Sequence, residues 1–98
     1  MSLPVRLLPE AKAEFDDSAD WYERQQTGLG VDFIARIRAV VDRIAASPRM
    51  HAVVYNQARK AVVTRFPFVV IYQELPTELL VISVFHTSRD PSVWQSRV

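Results

Sequence analysis

The chain has 98 residues, no cysteine and a net charge of +1, with 49% hydrophobic and 23% charged residues. That length suits a single domain over residues 1–98, and the composition is that of a folding chain rather than a disordered one. Disulfides, zinc–thiolate sites, iron–sulfur clusters and thiol nucleophiles are excluded, and two histidines alone do not make a metal site, so neither metal nor cofactor is expected. No apolar run approaches the roughly 18 residues of a membrane span, and the opening six residues are too short and polar for a signal peptide. The cytoplasm is therefore the expected compartment.

The small net charge hides an asymmetry. Residues 1–32 carry seven acids against three bases, net −4, whereas residues 33–98 carry nine bases against four acids, net +5. An acidic end and a basic end suit a nucleic-acid or acidic-protein partner, although chance can also produce them.

In chain order, a short apolar piece at residues 3–8 leads to Pro9, which suits the first position of a helix. Ala11, Phe15, Ala19 and Tyr22 then recur every three or four residues, with charges between them, as in an amphipathic helix. Gly28 and Gly30 fit a helix stop and an immediate restart. Phe33, Ile37, Val40, Val41 and Ile44 repeat the helical spacing until Ser47-Pro48 ends it, so the two helices should form an antiparallel hairpin. From residue 50 the period changes. Residues 52–55 are a weak strand candidate, and residues 58–66 a stronger one. In the latter, alternation places Arg59, Ala61, Val63 and Arg65 on one face. Residues 68–74 and 79–86 follow as strands with short connections, an antiparallel meander. Asp90-Pro91 reads as an N-cap with proline at the first helical position, opening a short helix through Trp94. The predicted architecture is α+β: an N-terminal strand and a helix hairpin on one face of a mostly antiparallel sheet of three to four strands, with a short C-terminal helix.

Arg59, Lys60 and Arg65 share a strand region, and Arg89 lies just past the last strand. Guanidinium forks and an ammonium suit phosphate or carboxylate recognition; the alternative is solvated strand charge that protects a sheet from aggregation. His86 ends a strand, where it can serve as general acid or base near neutral pH or simply bond to Thr87, Ser88 or the tail. His51 sits in a loop. Trp21 and Trp94 are candidates for stacking on a partner or for core. The acids of the first helix read most simply as its solvent face.

Pro9-Glu10-Ala11, Trp21-Tyr22-Glu23, Gly28-Leu29-Gly30, Phe33, Pro48, Arg65-Phe66-Pro67-Phe68, Ile71-Tyr72, His86, Arg89-Asp90-Pro91 and Trp94 together resemble the pattern of RelE/ParE-type toxins, often labelled plasmid-stabilisation proteins. The resemblance spans nearly the whole chain. It implies a type II toxin that poisons growth, is neutralised by a cognate antitoxin in a hetero-oligomer, and acts on DNA gyrase or, as an endoribonuclease, on mRNA at the ribosome. The clustered charges Arg59, Lys60, Arg65 and Arg89, with Trp94, are expected to contact the target or antitoxin, and Arg65, His86 and Arg89 are the catalytic candidates if the chain is a ribonuclease. A degenerate member that only binds its antitoxin is a further alternative. One departure bears on the choice. The ribonuclease branch carries an arginine directly after the aromatic of its third strand, where this chain has Val69, and a neutral side chain cannot stabilise an anionic phosphate. Trp94 stands where that branch has a terminal tyrosine, and indole has no ionisable hydroxyl. The pattern thus favours a non-catalytic, ParE-like action.

Overall fold

The computed structural model describes residues 2–98. Strand β1 (Val5–Leu7) runs into helix α1 (Pro9–Gln25), which begins with proline as expected. A three-residue turn leads to α2 (Leu29–Ala46), followed by β2 (Val53–Tyr55), β3 (Ala58–Val62), β4 (Phe68–Glu74), β5 (Leu79–His86) and the one-turn helix α3 (Ser92–Gln95). The α+β architecture is as predicted, with one difference in the sheet. It has five strands in the order β1-β5-β4-β3-β2, with β1 parallel to β5 and the other neighbours antiparallel. That is one strand more than the upper expectation; the N-terminal strand β1 and the weak candidate β2 are both members, three residues each, too short for a period of two to show in sequence, and their pairing partners define them.

The turn between the helices is set by glycine. Gly28 adopts φ +89, a left-handed conformation that costs other residues energy. At Gly30 the helices touch: an added Cβ would lie 2.6 Å from the Ala19 carbonyl oxygen. Glu23 braces the same turn, accepting the backbone N–H groups of Gly28 at 2.9 Å and Gly30 at 3.0 Å. These are orphan donors at the start of α2, so this acid is a cap rather than part of a solvated face.

The hairpin covers one face of the sheet. Ala11 and Ala19 of α1 and Phe33, Ile37, Val40 and Ile44 of α2 bury against Ala61, Phe68, Val70, Tyr72 and Val81. Phe33 meets Phe66 and Phe68 with ring centroids 5.3 and 4.8 Å apart, and Tyr22 meets Phe66 at 4.9 Å, edge-on geometries that add to area burial. Tyr72 donates its hydroxyl to the Pro48 carbonyl at 2.7 Å, which ties the α2–β2 connection to the core, and burial raises the phenol above its ordinary pKa. The opposite face holds a smaller cluster of Ala58, Val69, Ile71, Ile82, Phe85 and Trp94, so α3 packs against the side away from the hairpin. The expectation of helices on one face alone therefore fails for α3.

Strand β3 also ends earlier than alternation predicts. It stops at Val62, and the Val63 N–H donates to the Phe68 carbonyl at 3.0 Å, closing a loop. Within that loop Arg65 takes φ +72 while Phe66 turns inward to the aromatic core. Burial of Phe66 overrides the strand period, and Arg65 consequently leaves the face of Arg59.

Candidate functional site

The candidate residues do not converge on one place. On the open face of the sheet is a depression of about 300 Å³ whose lining includes Val54, Lys60, Val69, Ile71, Phe85 and Trp94. Its floor is apolar, and the Lys60 ammonium is the one cation of its lining. Val69 lies there, at the position where the resemblance calls for arginine. Trp94 is 5% exposed and sits edge-on to Tyr55 at 5.9 Å. Its indole packs with Val69, Ile82 and Phe85 while also lining the depression.

Arg59 is half-buried and donates to the carbonyls of Arg49 and His51. It staples the α2–β2 loop, and by register it faces the hairpin side together with Tyr72, away from Lys60. Arg65 is exposed in the β3–β4 loop, and its side chain makes no hydrogen bond or ion pair among the described residues. The basic residues of β3 and the following loop thus do not form one cluster.

His86 lies on the hairpin side. It helps to line a half-open cleft of about 470 Å³ with Asp17, Ser18, Trp21, Tyr22 and Phe68. Its ring sits 5.1 Å from that of Phe68. The Ser88 backbone N–H, which can only donate, reaches His86 Nδ1 at 3.0 Å. Nδ1 is therefore an acceptor and the proton resides on Nε2. The local bond to Ser88 weighed from the sequence is present, and no carboxylate bonds to the ring among the described residues.

Arg89 borders a depression that His86 also lines, but its guanidinium is committed to Glu14. Its Nη1 donates to Glu14 Oε2 at 3.0 Å, and its guanidinium carbon lies 5.3 Å from the centroid of the Phe85 ring. Glu14 is the centre of an arrangement that sequence reading missed. Its side chain is 11% exposed; it accepts from Arg97 Nη1 at 2.9 Å, Ser83 Oγ at 2.8 Å and the Val84 backbone N–H at 3.3 Å. Arg97, itself 13% exposed, also donates to the Ile82 carbonyl at 3.1 Å. Strand β1 pairs only with Leu79–Val81, so the next residues of β5 have a free edge. Glu14 and Arg97 satisfy that edge with side chains, at the register shift between Ile71 and Tyr72. A weak signal was available: Glu14 lies about 60° from Ala11 on a helical wheel, at the border of the apolar stripe. Nothing local marks Arg97 as its partner. Asp90 accepts the Ser92 N–H at 3.0 Å, the expected cap, and this bond holds its carboxyl below the usual range.

A two-helix hairpin across a five-stranded mixed sheet, closed by a one-turn helix, is the fold of a chain in a solved chromosomal ParDE toxin–antitoxin system from P. aeruginosa. The two superpose with a TM-score of 0.73 over 87% of this chain and 96% of that one, at 16% identity. A family model described as the ParE toxin of type II toxin-antitoxin system, parDE, matches residues 5–91. The chain belongs to the ParE toxin family. No curated protein matches it. No helix among the described residues is long and apolar enough to cross a membrane.

Proposed function

We propose that this chain is the growth-arresting member of a type II toxin–antitoxin pair, that it works in the cytoplasm by binding a protein target such as DNA gyrase, and that a cognate antitoxin neutralises it in a hetero-oligomer. The observation that carries the non-catalytic part is the state of the candidate catalytic groups: His86 and Arg89 border one depression, but the Arg89 guanidinium is paired with Glu14 and the other candidate cations lie apart from it. Cleavage of RNA by its own 2′-hydroxyl needs a proton acceptor, a proton donor and a cation converging on one phosphate. His86 is on the hairpin side, where its one acceptor nitrogen is already bonded to Ser88. Lys60 and Val69 lie on the opposite face, Arg65 is in a loop, and Arg89 is paired with Glu14.

The antitoxin is expected to lay an extended, acidic segment over the hairpin and along the sheet, ordering as it binds. The apolar depression beside Lys60 and the open edge at β2, whose three residues are all exposed, support this placement. Neutralising Arg59, Lys60 and Arg65 together should weaken the complex and flatten its salt dependence; unchanged affinity would take this region out of the interface.

Expression of the chain alone tests the toxin reading. Growth arrest that is relieved by co-expressing the small protein encoded beside it is the expected result. Normal growth at verified levels of soluble protein would instead indicate a member that only binds its antitoxin.

A further inference from the structure

The cleft that holds His86 combines core rings with two residues that neither the fold nor the growth-arrest reading requires, Trp21 and Asp17. Its wall is a run of rings: Trp21 stands edge-on to Tyr22 at 5.1 Å, Tyr22 lies 6.2 Å from Phe68, and Phe68 lies 5.1 Å from His86. Trp21 is 52% exposed, a large apolar surface left in water on an otherwise acidic helix. At the rim is Asp17; Asp16 pairs with Lys12, Glu14 with Arg89 and Arg97, and Glu23 with the turn amides, whereas Asp17, like Asp20 one turn on, is uncommitted among the described residues. Asp17 has no hydrogen bond or ion pair among the described residues, and it borders both this cleft and the adjoining depression that ends at Arg89.

We propose that this cleft seats an arginine side chain carried by a basic segment of a partner protein. A guanidinium is attracted to aromatic faces, more so when partly desolvated, and it is planar enough to slide between rings while donating to a carboxylate at the rim. Asp17 and the Ser18 hydroxyl supply acceptors. No cation among the described residues is in the lining of the cleft, and Arg89, in the adjoining depression, is neutralised by Glu14. An acidic side chain in the same place would face Asp17 in a partly water-excluded space, where like charges repel strongly. The His86 ring, whose Nδ1 accepts the Ser88 N–H, contributes a further aromatic wall. The site is opposite in sign to the Lys60 surface expected to take an acidic segment, so it stands independently of that reading.

The test is an NMR titration of the whole protein that follows the two indole N–H signals, with Trp94 as an internal control for the fold. The probe is acetyl-Leu-Arg-Leu-amide, compared with the same peptide carrying citrulline or glutamate in place of arginine, and with spermidine. The arginine peptide should shift the Trp21 signal saturably and leave Trp94 in place. It should bind about fivefold or more tightly than the citrulline peptide, the scale of one cation–π contact, and the glutamate peptide should bind least. Asp17→Asn should remove most of the arginine preference, and Trp21→Ala should abolish the peptide-induced shifts of the Ser18 and Tyr22 backbone amides while the Trp94 signal stays at its parental position, reporting an intact fold. The proposal is overturned by an unmoved Trp21 signal at the highest peptide concentration, by equal binding of the citrulline peptide, by preference for glutamate, or by spermidine binding as well as the arginine peptide.

Discussion

The sheet has two stretches of free edge, and the chain treats them in different ways. Along β5, beyond the reach of β1, a carboxylate from the first helix and a guanidinium from the last residues take the place of a missing strand: Glu14 accepts from Ser83 and Val84, and Arg97 donates to Ile82. Along β2 nothing comparable is present; Val53, Val54 and Tyr55 are 50, 43 and 39% exposed, and Val62 on the neighbouring strand is 67% exposed. An open apolar edge is an invitation to another chain, which natural proteins usually blunt. The closed edge is internal architecture, so damage there should show as lost stability. At the open edge, damage should show in binding and leave the fold alone.

The largest expected effect comes from truncating the chain before Asp90. This uncovers the open-face cluster by removing Trp94 and deprives Glu14 of Arg97, and either loss alone costs roughly 3 kcal/mol or more. The truncated chain should lack a cooperative unfolding transition by circular dichroism; a transition near that of the full chain would show that the tail is dispensable. Next is Glu14→Ala, which strands a mostly buried guanidinium and a strand N–H together and should cost about 3 kcal/mol in urea unfolding. Arg97→Ala should be of similar size, and the double variant should cost clearly less than the sum of the two, since one interaction is being removed twice. Additive losses would dissolve the idea of a shared edge closure.

A smaller effect belongs to pH. The Asp90 carboxyl is held below its ordinary value by the Ser92 N–H, as the Arg6 guanidinium holds that of Glu78. A carboxyl whose folded pKa is depressed stabilises the fold above its unfolded pKa, and this is lost as pH falls through the folded value. Near-ultraviolet dichroism of Trp94 should therefore decline on the acid side, below about pH 4, and Asp90→Asn should remove part of that dependence. Smallest of all is Val62→Lys at the open edge. Stability should stay within about 0.5 kcal/mol of the parent, while affinity for the antitoxin should change, read by titration calorimetry.

The same contrast explains what the sequence disclosed. The stripes Ala11, Phe15, Ala19, Tyr22 and Phe33, Ile37, Val40, Ile44 give both helices because helical burial repeats within a few residues. Strands β4 and β5 are legible as continuous apolar runs, since both of their faces are covered. Strand β1 and β2 have three residues each and exist through their neighbours. Arg65 was misplaced because the period of a strand says nothing about where a buried phenylalanine pulls the chain around. Glu14 read as solvated because its partner is 83 residues away. Trp94 was placed in a helix correctly, but local signals cannot say which face of a sheet that helix will cover. Short-range patterns thus revealed the elements, while the edge closure and the cleft by His86 depend on contacts between distant parts of the chain.

Action by binding rather than by cutting is tested by two assays on one preparation: gyrase supercoiling with the purified protein, and the integrity of message in a translating extract. Inhibited supercoiling with intact mRNA is the expected result. Codon-spaced cuts that disappear in His86→Ala, with the fold of that variant preserved, would contradict it and make the chain an endoribonuclease.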